Sequence, residues 1–394
     1  MKRLPLTLVS SLLLCRAAIV CACTSWVITP ERSASGRMIL HKCRDQHLNT
    51  LTAVIMNDGG VRWMCIGSDG GAMFELNEYG VASTSNYGGK YTGRRKKPKP
   101  HEGNIPSHVA VNARDAESGA KIIRDCGRDG WRPTGGMFLV ADSKRAFVVE
   151  TGGAYGEIAE IPGGIYVISN TLHLGGCELY FECQAEKLVS HRAREANART
   201  ELHKNKVEGK HTIAGLFKSS RLTGKNVPFN RFTLSAVCFE LDAEFPEMLG
   251  CAYVALGPQQ HTVYLPTPMA LEQFPEDMQN GKWGARALAL RMKLGDDHEY
   301  LPRIEALEKE LVAEFAAARE EALSLLRAGR RDEAKKLLND TFARHYVRAK
   351  ELMGRIAEEA GIEADPPIMT RKDEEKLHKS IQQKSSRKKN RKNP

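Results

Sequence analysis

At 394 residues with 42% apolar content, the chain is long enough for one large domain or two medium ones and can bury a sizeable core. The formal charge of +10 is concentrated at the ends. Lys2, Arg3 and Arg16 lie at the N-terminus, and Arg371–Pro394 holds ten Lys/Arg against three Asp/Glu. The segment 23–370 is therefore close to neutral, which excludes a basic nucleic-acid-binding body.

The first 22 residues read as a secretory signal. Lys2 and Arg3 form a charged start, LPLTLVSSLLL an apolar run, and Val20 and Ala22 are the compact residues before a cut at Cys23. Arg16 interrupts the run, and no later stretch is long and apolar enough to span a bilayer. Export to the periplasm or the extracellular space is expected. Of the ten cysteines, Cys15 and Cys21 leave with the signal. An oxidising compartment permits disulfides, with Cys177/Cys183 and Cys238/Cys251 the local pairs. No CxxC or His/Cys spacing resembles a zinc site, so neither a metal nor a cofactor is expected.

From Cys23 to about Pro268, short apolar segments alternate with Gly, Asn and Asp turns. TSWVIT, GRMILHK, TAVIMND, RWMCIG, YGVASTSN, GMFLVAD, AFVVET, IYVISN, FTLSAVCFE, CAYVALG and TVYLPTP each fit a strand. SGAKIIRDC and the region from Glu178 to Glu201 read as helices between them. Many strands with few helices predict a layered α+β body. Between the strands lies a basic, proline-containing loop with Arg94, Arg95, Lys96, Lys97 and Lys99, which reads as a solvated loop or as a lip over an anionic substrate.

After Leu301 the pattern changes. Ile304, Leu307, Leu311, Phe315, Ala322 and Leu325 recur at three- and four-residue steps. Gly329 breaks the pattern, and Ala334, Leu337, Leu338, Phe342, Tyr346, Ala349, Met353 and Ile356 resume it until Gly361. This is a helical hairpin that packs by one face of each arm. The organisation is thus a signal over 1–22, a catalytic domain over 23–300, the hairpin over 301–365 and a basic, disordered tail over 366–394.

A cut at Cys23 would place a thiol and a free amine on one residue. The thiolate is the nucleophile, and an α-amino group with a reference pKa of about 8 can take the thiol proton and pass it to a leaving amine. The strand opening at Cys23 is followed, after a Gly-containing turn, by a second strand ending in HKCRD. A hairpin there returns Lys42, Arg44 and Asp45 to the new terminus. A carboxylate could orient the amine, and a cation could stabilise the thiolate.

Five blocks in order resemble the N-terminal-nucleophile (Ntn) hydrolases of linear amides: bile salt hydrolase, penicillin V acylase, isopenicillin N acyltransferase relatives and the secreted Ntn dipeptidases. The blocks are CTSWVIT, HKCRD, NEYGVASTSNYGG, DSKRAFVVET with GGIYVISN, and VPFNRFT. They cover about 23–268, and the hairpin is similar to the C-terminal part of the dipeptidases.

The resemblance implies a four-layer αββα sandwich and an amidohydrolase that works through an acyl-enzyme. It implies Cys23 as nucleophile, Asp45 as holder of its amine, and Asn86 in the oxyanion hole, with Tyr87 as the alternative one residue on. Asn170 would contact the amine or the acyl group, and Arg231 would orient the site. The family arginine beside the thiol falls on Lys42 by position, with Arg44 as the alternative. No histidine is required.

The partner implied is a small-molecule amide, with no specific nucleic acid, and assembly as a homo-oligomer is compatible with the family. Acyl transfer in place of hydrolysis, or dipeptide cleavage, fits the same residues. Val20-Cys21-Ala22-Cys23 also approximates a lipobox. Lipid on Cys23 would block both its sulfur and its amine, leaving a tethered binding protein. Membrane contact is expected only in that case or through the basic tail on an anionic surface.

Overall fold

The computed structural model describes residues 23–46, 50–68, 71–91, 105–129, 131, 134–152, 155–174, 181–182, 185–230, 232–363 and 366–368. In chain order the elements open with β1 (Thr24–Ile28), β2 (Met38–Asp45), β3 (Leu51–Asp58), β4 (Val61–Ser68), β5 (Gly71–Asn77) and β6 (Ala82–Tyr91). Then come α1 (Ile105–Asn112), α2 (Ala116–Arg128), β7 (Thr134–Ala141), β8 (Ala146–Gly152), β9 (Tyr155–Glu160), β10 (Ile165–Ile168) and β11 (Phe181–Glu182). They are followed by α3 (Ala185–Lys204), β12 (Lys206–Val207), β13 (Lys210–His211), α4 (Ile213–Ser220), β14 (Thr233–Leu241), α5 (Pro246–Leu249), β15 (Cys251–Leu256) and β16 (Leu265–Pro268). The chain closes with α6 (Glu276–Gln279), α7 (Lys282–Leu294), α8 (Leu301–Arg327) and α9 (Arg331–Glu359).

Two antiparallel sheets carry the fold. One runs β10-β1-β2-β14-β15-β16; the other runs β3-β4-β5-β6-β7-β8-β9, with β11 added beside β6. Successive strand residues point to opposite faces, so each sheet has two apolar surfaces to cover. Val27, Leu40, Val237, Phe239 and Val254 of the first sheet meet Met64, Ile66, Phe74, Leu139 and Val148 of the second in one shared core. The alternate residues Trp26, Ile39, Cys238 and Tyr253 pack outward on Leu202 of α3, Phe217 of α4, Phe315 of α8 and Leu338 of α9. On the far side, Phe138, Val140, Phe147 and Val149 pack against Val109 of α1 and Ala120 and Ile123 of α2. The order helix, sheet, sheet, helix is the four-layer αββα sandwich that the Ntn resemblance implies, with the helical hairpin α8–α9 at its C-terminal end.

All eleven segments read as strands from the sequence form strands, and SGAKIIRDC lies inside α2. The structure adds β5, β9, β11, β12, β13, α1, α4, α5, α6 and α7. The helix expected from Glu178 begins at Ala185 and runs to Lys204. The hairpin packs into both cores, through Ile304, Leu311 and Phe342 on one and Phe315 and Leu338 on the other. A buried ion pair fastens it further: Arg221 donates two bonds to Glu308 (2.6 and 2.7 Å), and Glu308 accepts the Tyr264 N–H (2.7 Å).

The expected Cys238/Cys251 disulfide is corrected. Both thiols are free and buried, because the β14–β15 register pairs Cys238 with Tyr253 and Cys251 with Glu240, leaving the cysteines two positions apart along the ladder. Cys177, Cys183, the signal over 1–22, the basic loop from Arg94 to Lys99 and the basic tail from Arg371 lie outside the described residues.

Candidate active site

The site forms at the polar end of the inter-sheet core, where β1 and β2 face β6. Thr24 pairs with Cys43 and Ser25 with Lys42, so the hairpin expected from the sequence is present and turns Ser25 and Lys42 toward the second sheet. Cys23 precedes β1 directly and is 6% exposed. Its Sγ lies 3.8 Å from the backbone oxygen of Asp45, a weak S–H donor contact that holds the head of β1 against the end of β2.

Asp45 is enclosed. Its Oδ1 accepts the Thr233 hydroxyl (2.5 Å), and its Oδ2 accepts the Asn230 amide. Thr233 faces Asp45 across the β2–β14 ladder, and Asn230 comes from the turn before β14. The fully buried Arg291 of α7 braces that turn by donating to Thr233 O and Asn230 O (3.0 Å each). Burial pushes the Asp45 carboxyl up to about 7, and Arg194, Thr233, Asn230 and Arg291 pull against that rise.

The two asparagines knit β6 to the loop after β10. Asn86 accepts the Ser25 hydroxyl at Oδ1 (2.8 Å) and donates to Ser169 O (2.8 Å). Asn170 donates to Tyr87 O (2.6 Å) and accepts a bond from Arg194 at Oδ1 (3.2 Å). Asn86 therefore links β1 to the second sheet and keeps one amide N–H beyond its bond to Ser169. Tyr87 is half-buried, and its backbone oxygen is the acceptor for Asn170. Of the two oxyanion candidates, Asn86 is the one whose side chain bonds β1.

The start of the same block has a structural role. Asn77 accepts the Tyr79 and Val81 N–H groups and donates to Ala110 O and Ala113 O, locking the β5–β6 turn onto the end of α1. Gly80 in that turn takes φ +77°, and a Cβ there would lie 2.8 Å from Pro246 Cβ.

The cations expected beside the thiol have other engagements. Lys42 is fully buried; its Nζ donates to Ser85 O and lies 5.1 Å from the centre of the Phe74 ring. It also faces the buried Glu75, whose carboxyl burial drives well upward and Lys42 partly draws back. Arg44, equally buried, donates to Gln46 Oε1 (2.7 Å). Arg231 lies outside the described residues. His41 is on the outer face of its sheet, stacked on Trp26 at 3.9 Å, with burial pushing it down to about 3.

Three neighbours of the site were not legible in the sequence: Asn230, Arg194 and Glu195. The last two are consecutive on α3 and both nearly buried. Arg194 reaches Asn170 and lies within electrostatic reach of Asp45 and Cys23. Glu195 accepts the Ser169 N–H (2.8 Å), the Ser169 hydroxyl (3.1 Å) and His173 Nε2 (3.1 Å). Glu150 anchors the end of that loop by accepting the N–H groups of His173 and Leu174.

The result is a thiol against the backbone of an aspartate whose carboxyl is buried, with one side-chain amide from the opposite sheet, a second from the loop after β10 and a guanidinium from α3. Such a set can hold an amine, polarise a carbonyl and stabilise a developing oxyanion. Two cavities of about 420 and 400 Å³ lie elsewhere, between α4 and α8, and no residue of the cluster lines them. Among the described residues, no group of three His, Cys, Asp or Glu is placed to hold a metal ion.

No family model matches the chain, and no curated protein does. Solved structures similar to it include a Caenorhabditis elegans ortholog of N-acylethanolamine-hydrolyzing acid amidase, at 12% identity over 55% of this chain and 91% of that one (TM-score 0.40). Two others are variants of conjugated bile acid hydrolase from Clostridium perfringens. One matches at 10% identity over 59% of this chain and 89% of that one (TM-score 0.38), the other at 10% over 65% and 98% (TM-score 0.42).

Proposed function

We propose that the chain is an exported N-terminal-cysteine amidohydrolase that cleaves linear amide C–N bonds through an acyl-enzyme. The observation that supports this reading is that three separate stretches of sequence meet at the head of β1: Cys23 Sγ touches Asp45 O, Asn86 bonds Ser25, and Asn170 bonds the strand residue after Asn86. A cut before Cys23 turns its amide nitrogen into an amine, and Asp45 is the acceptor for that amine.

The amine takes the thiol proton, and the thiolate attacks the substrate carbonyl carbon. Asn86 supplies an N–H to the resulting oxyanion. As the intermediate collapses, the C–N bond breaks, and the ammonium returns its proton to the departing amine. Water then attacks the thioester, giving up a proton to the same amine, and the acid leaves as the thiol is restored. Substrates of this chemistry are N-acyl amino acids, bile-salt-like conjugates, β-lactam side chains and dipeptides. An acceptor amine in place of water would give acyl transfer.

The competing lipid-anchor reading is disfavoured by burial. A diacylglyceryl group needs a sulfur that reaches a bilayer, whereas Cys23, with residues 1–22 still attached, is 6% exposed. Two measurements decide. The intact mass of the mature N-terminal peptide is expected to show an unmodified Cys23. A hydrolysis screen on N-acyl amino acids and dipeptides is expected to find an activity that Cys23→Ala abolishes. Full activity in that variant, or a lipidated or blocked terminus, would sink the proposal.

A further inference from the structure

A loop seldom lies inside a fold, because its backbone N–H and C=O groups must then find partners other than water. The loop after β10 does lie inside: Ser169, Asn170 and Thr171 are all 5% exposed or less. Two carboxylates take N–H groups of this loop. Glu150 of β8 accepts those of His173 and Leu174, and Glu195 of α3 accepts that of Ser169 (2.8 Å). Glu195 is itself 3% exposed, and it offsets its own burial by collecting donors on one oxygen. These are the Ser169 N–H, His173 Nε2 (3.1 Å) and the Ser169 hydroxyl (3.1 Å), the last shared with His191 O (3.0 Å).

What Glu195 holds bears directly on the site. With its N–H tied to α3, Ser169 presents its carbonyl to the second sheet, where it accepts an Asn86 amide N–H (2.8 Å). A carbonyl only accepts, so this bond fixes which end of the Asn86 amide is nitrogen and leaves the oxygen for the Ser25 hydroxyl (2.8 Å). The direction of the remaining amide N–H, the donor proposed for the oxyanion, is thereby set by Ser169 O. The next residue, Asn170, reaches Tyr87 O (2.6 Å) from the same fixed backbone. We infer that Glu195 is a positioning residue of this site: by holding Ser169 against α3, it sets the aim of the Asn86 amide. Of its bonds among the described residues none goes to Cys23 or Asn86, so it acts through Ser169. The catalytic meaning of the inference rests on the amidohydrolase reading; the link between Glu195 and Asn86 does not.

The test is a set of double-mutant cycles in the full chain, read as urea midpoints. Asn86→Ala is made in the wild-type, Glu195→Ala, Glu195→Asp and Glu195→Gln backgrounds. Glu195→Asp keeps the charge but withdraws the acceptor by one methylene, whereas Glu195→Gln drops the charge but keeps an oxygen in place. The midpoint loss from Asn86→Ala is expected to shrink by about half in the alanine and aspartate backgrounds, and to keep its wild-type size in the glutamine background. Equal losses in all four backgrounds, or a loss that shrinks as much with glutamine as with alanine, overturn the inference. The aspartate and glutamine pair suffices should Glu195→Ala not fold. Ser25→Ala, which frees the other end of the same amide, replaces Asn86→Ala should that variant not fold. With a hydrolysed amide in hand, Glu195→Asp is also expected to lower kcat by roughly tenfold or more with KM within about twofold, and Glu195→Gln to recover most of it. A rise in KM with kcat unchanged would likewise overturn it. A wild-type chain that hydrolyses no amide removes the proposed function, while the midpoints still decide whether Glu195 and Asn86 are linked.

Discussion

At the scale of single residues, Asp45 is the group whose charge state decides most. Burial raises its carboxyl from 3.8 to about 7. Between about pH 4 and 7 the folded chain keeps a proton that the unfolded chain has lost, so stability falls as pH rises through that window and levels off above it. The urea midpoint of protein whose residue-23 nitrogen is still an amide is expected to carry this slope, and Asp45→Asn to remove it. An ammonium freed at Cys23 would pull Asp45 down and shorten the window, so cut and uncut chains should differ in slope. Residue types at the site were legible where a motif held them: Cys23, Asp45, Asn86 and Asn170 all reach the cluster. Arg194 and Glu195 were not, because HRAREANAR on a helix reads as a solvated face, and nothing in the one-dimensional pattern marks a charge that will be buried.

At the scale of elements, legibility followed apolar alternation. Strands such as MILHKCRD and TLSAVCFEL, buried along their whole length, announce themselves. Five strands do not: β5 opens on Gly71-Ala72, β9 (YGEIAE) alternates weakly with charge, and β11, β12 and β13 are two residues each. Helix α7 hides for another reason. Gly284 sits inside it because a Cβ there would lie 2.9 Å from Leu51 Cβ, and its Arg and Lys residues mask the apolar face. Close approach also governs α2 against β8. A Cβ on Gly127 would fall 1.4 Å from Thr151 Oγ1, whose hydroxyl donates to Tyr155 O. Gly127→Ala is expected to cost about 1–3 kcal/mol or more, read as a lower urea midpoint. Activity per folded molecule should be unchanged, because α2 covers the sheet face opposite the site.

At the scale of the molecule, the two-sheet core was readable as a class, and its closure was not. The hairpin's period shows which faces are apolar but not what they cover. Here they pack partly on the outer face of the sheet that holds β1 and partly into the shared inter-sheet core, and the Arg221–Glu308 pair pins α8 to the turn after α4. Glu308→Ala would leave the buried Arg221 with only the more distant Glu305 carboxylate at 3.9 Å, and a loss of about 3 kcal/mol in unfolding free energy is expected by denaturant titration. Replacing both partners by apolar residues should cost far less.

The absence of slack ahead of β1 has a practical side. Thr24 is already paired to β2, and Ser25 to both β2 and β10, so whatever is joined to Cys23 is joined at a fixed strand head. Under the proposed mechanism, recombinant material carrying a leftover initiator methionine or an affinity handle at that end would present a peptide nitrogen in place of the free amine. Purification handles therefore belong at the C-terminus, and an inactive preparation should be weighed on a mass spectrometer before the inactivity is counted against the proposed function.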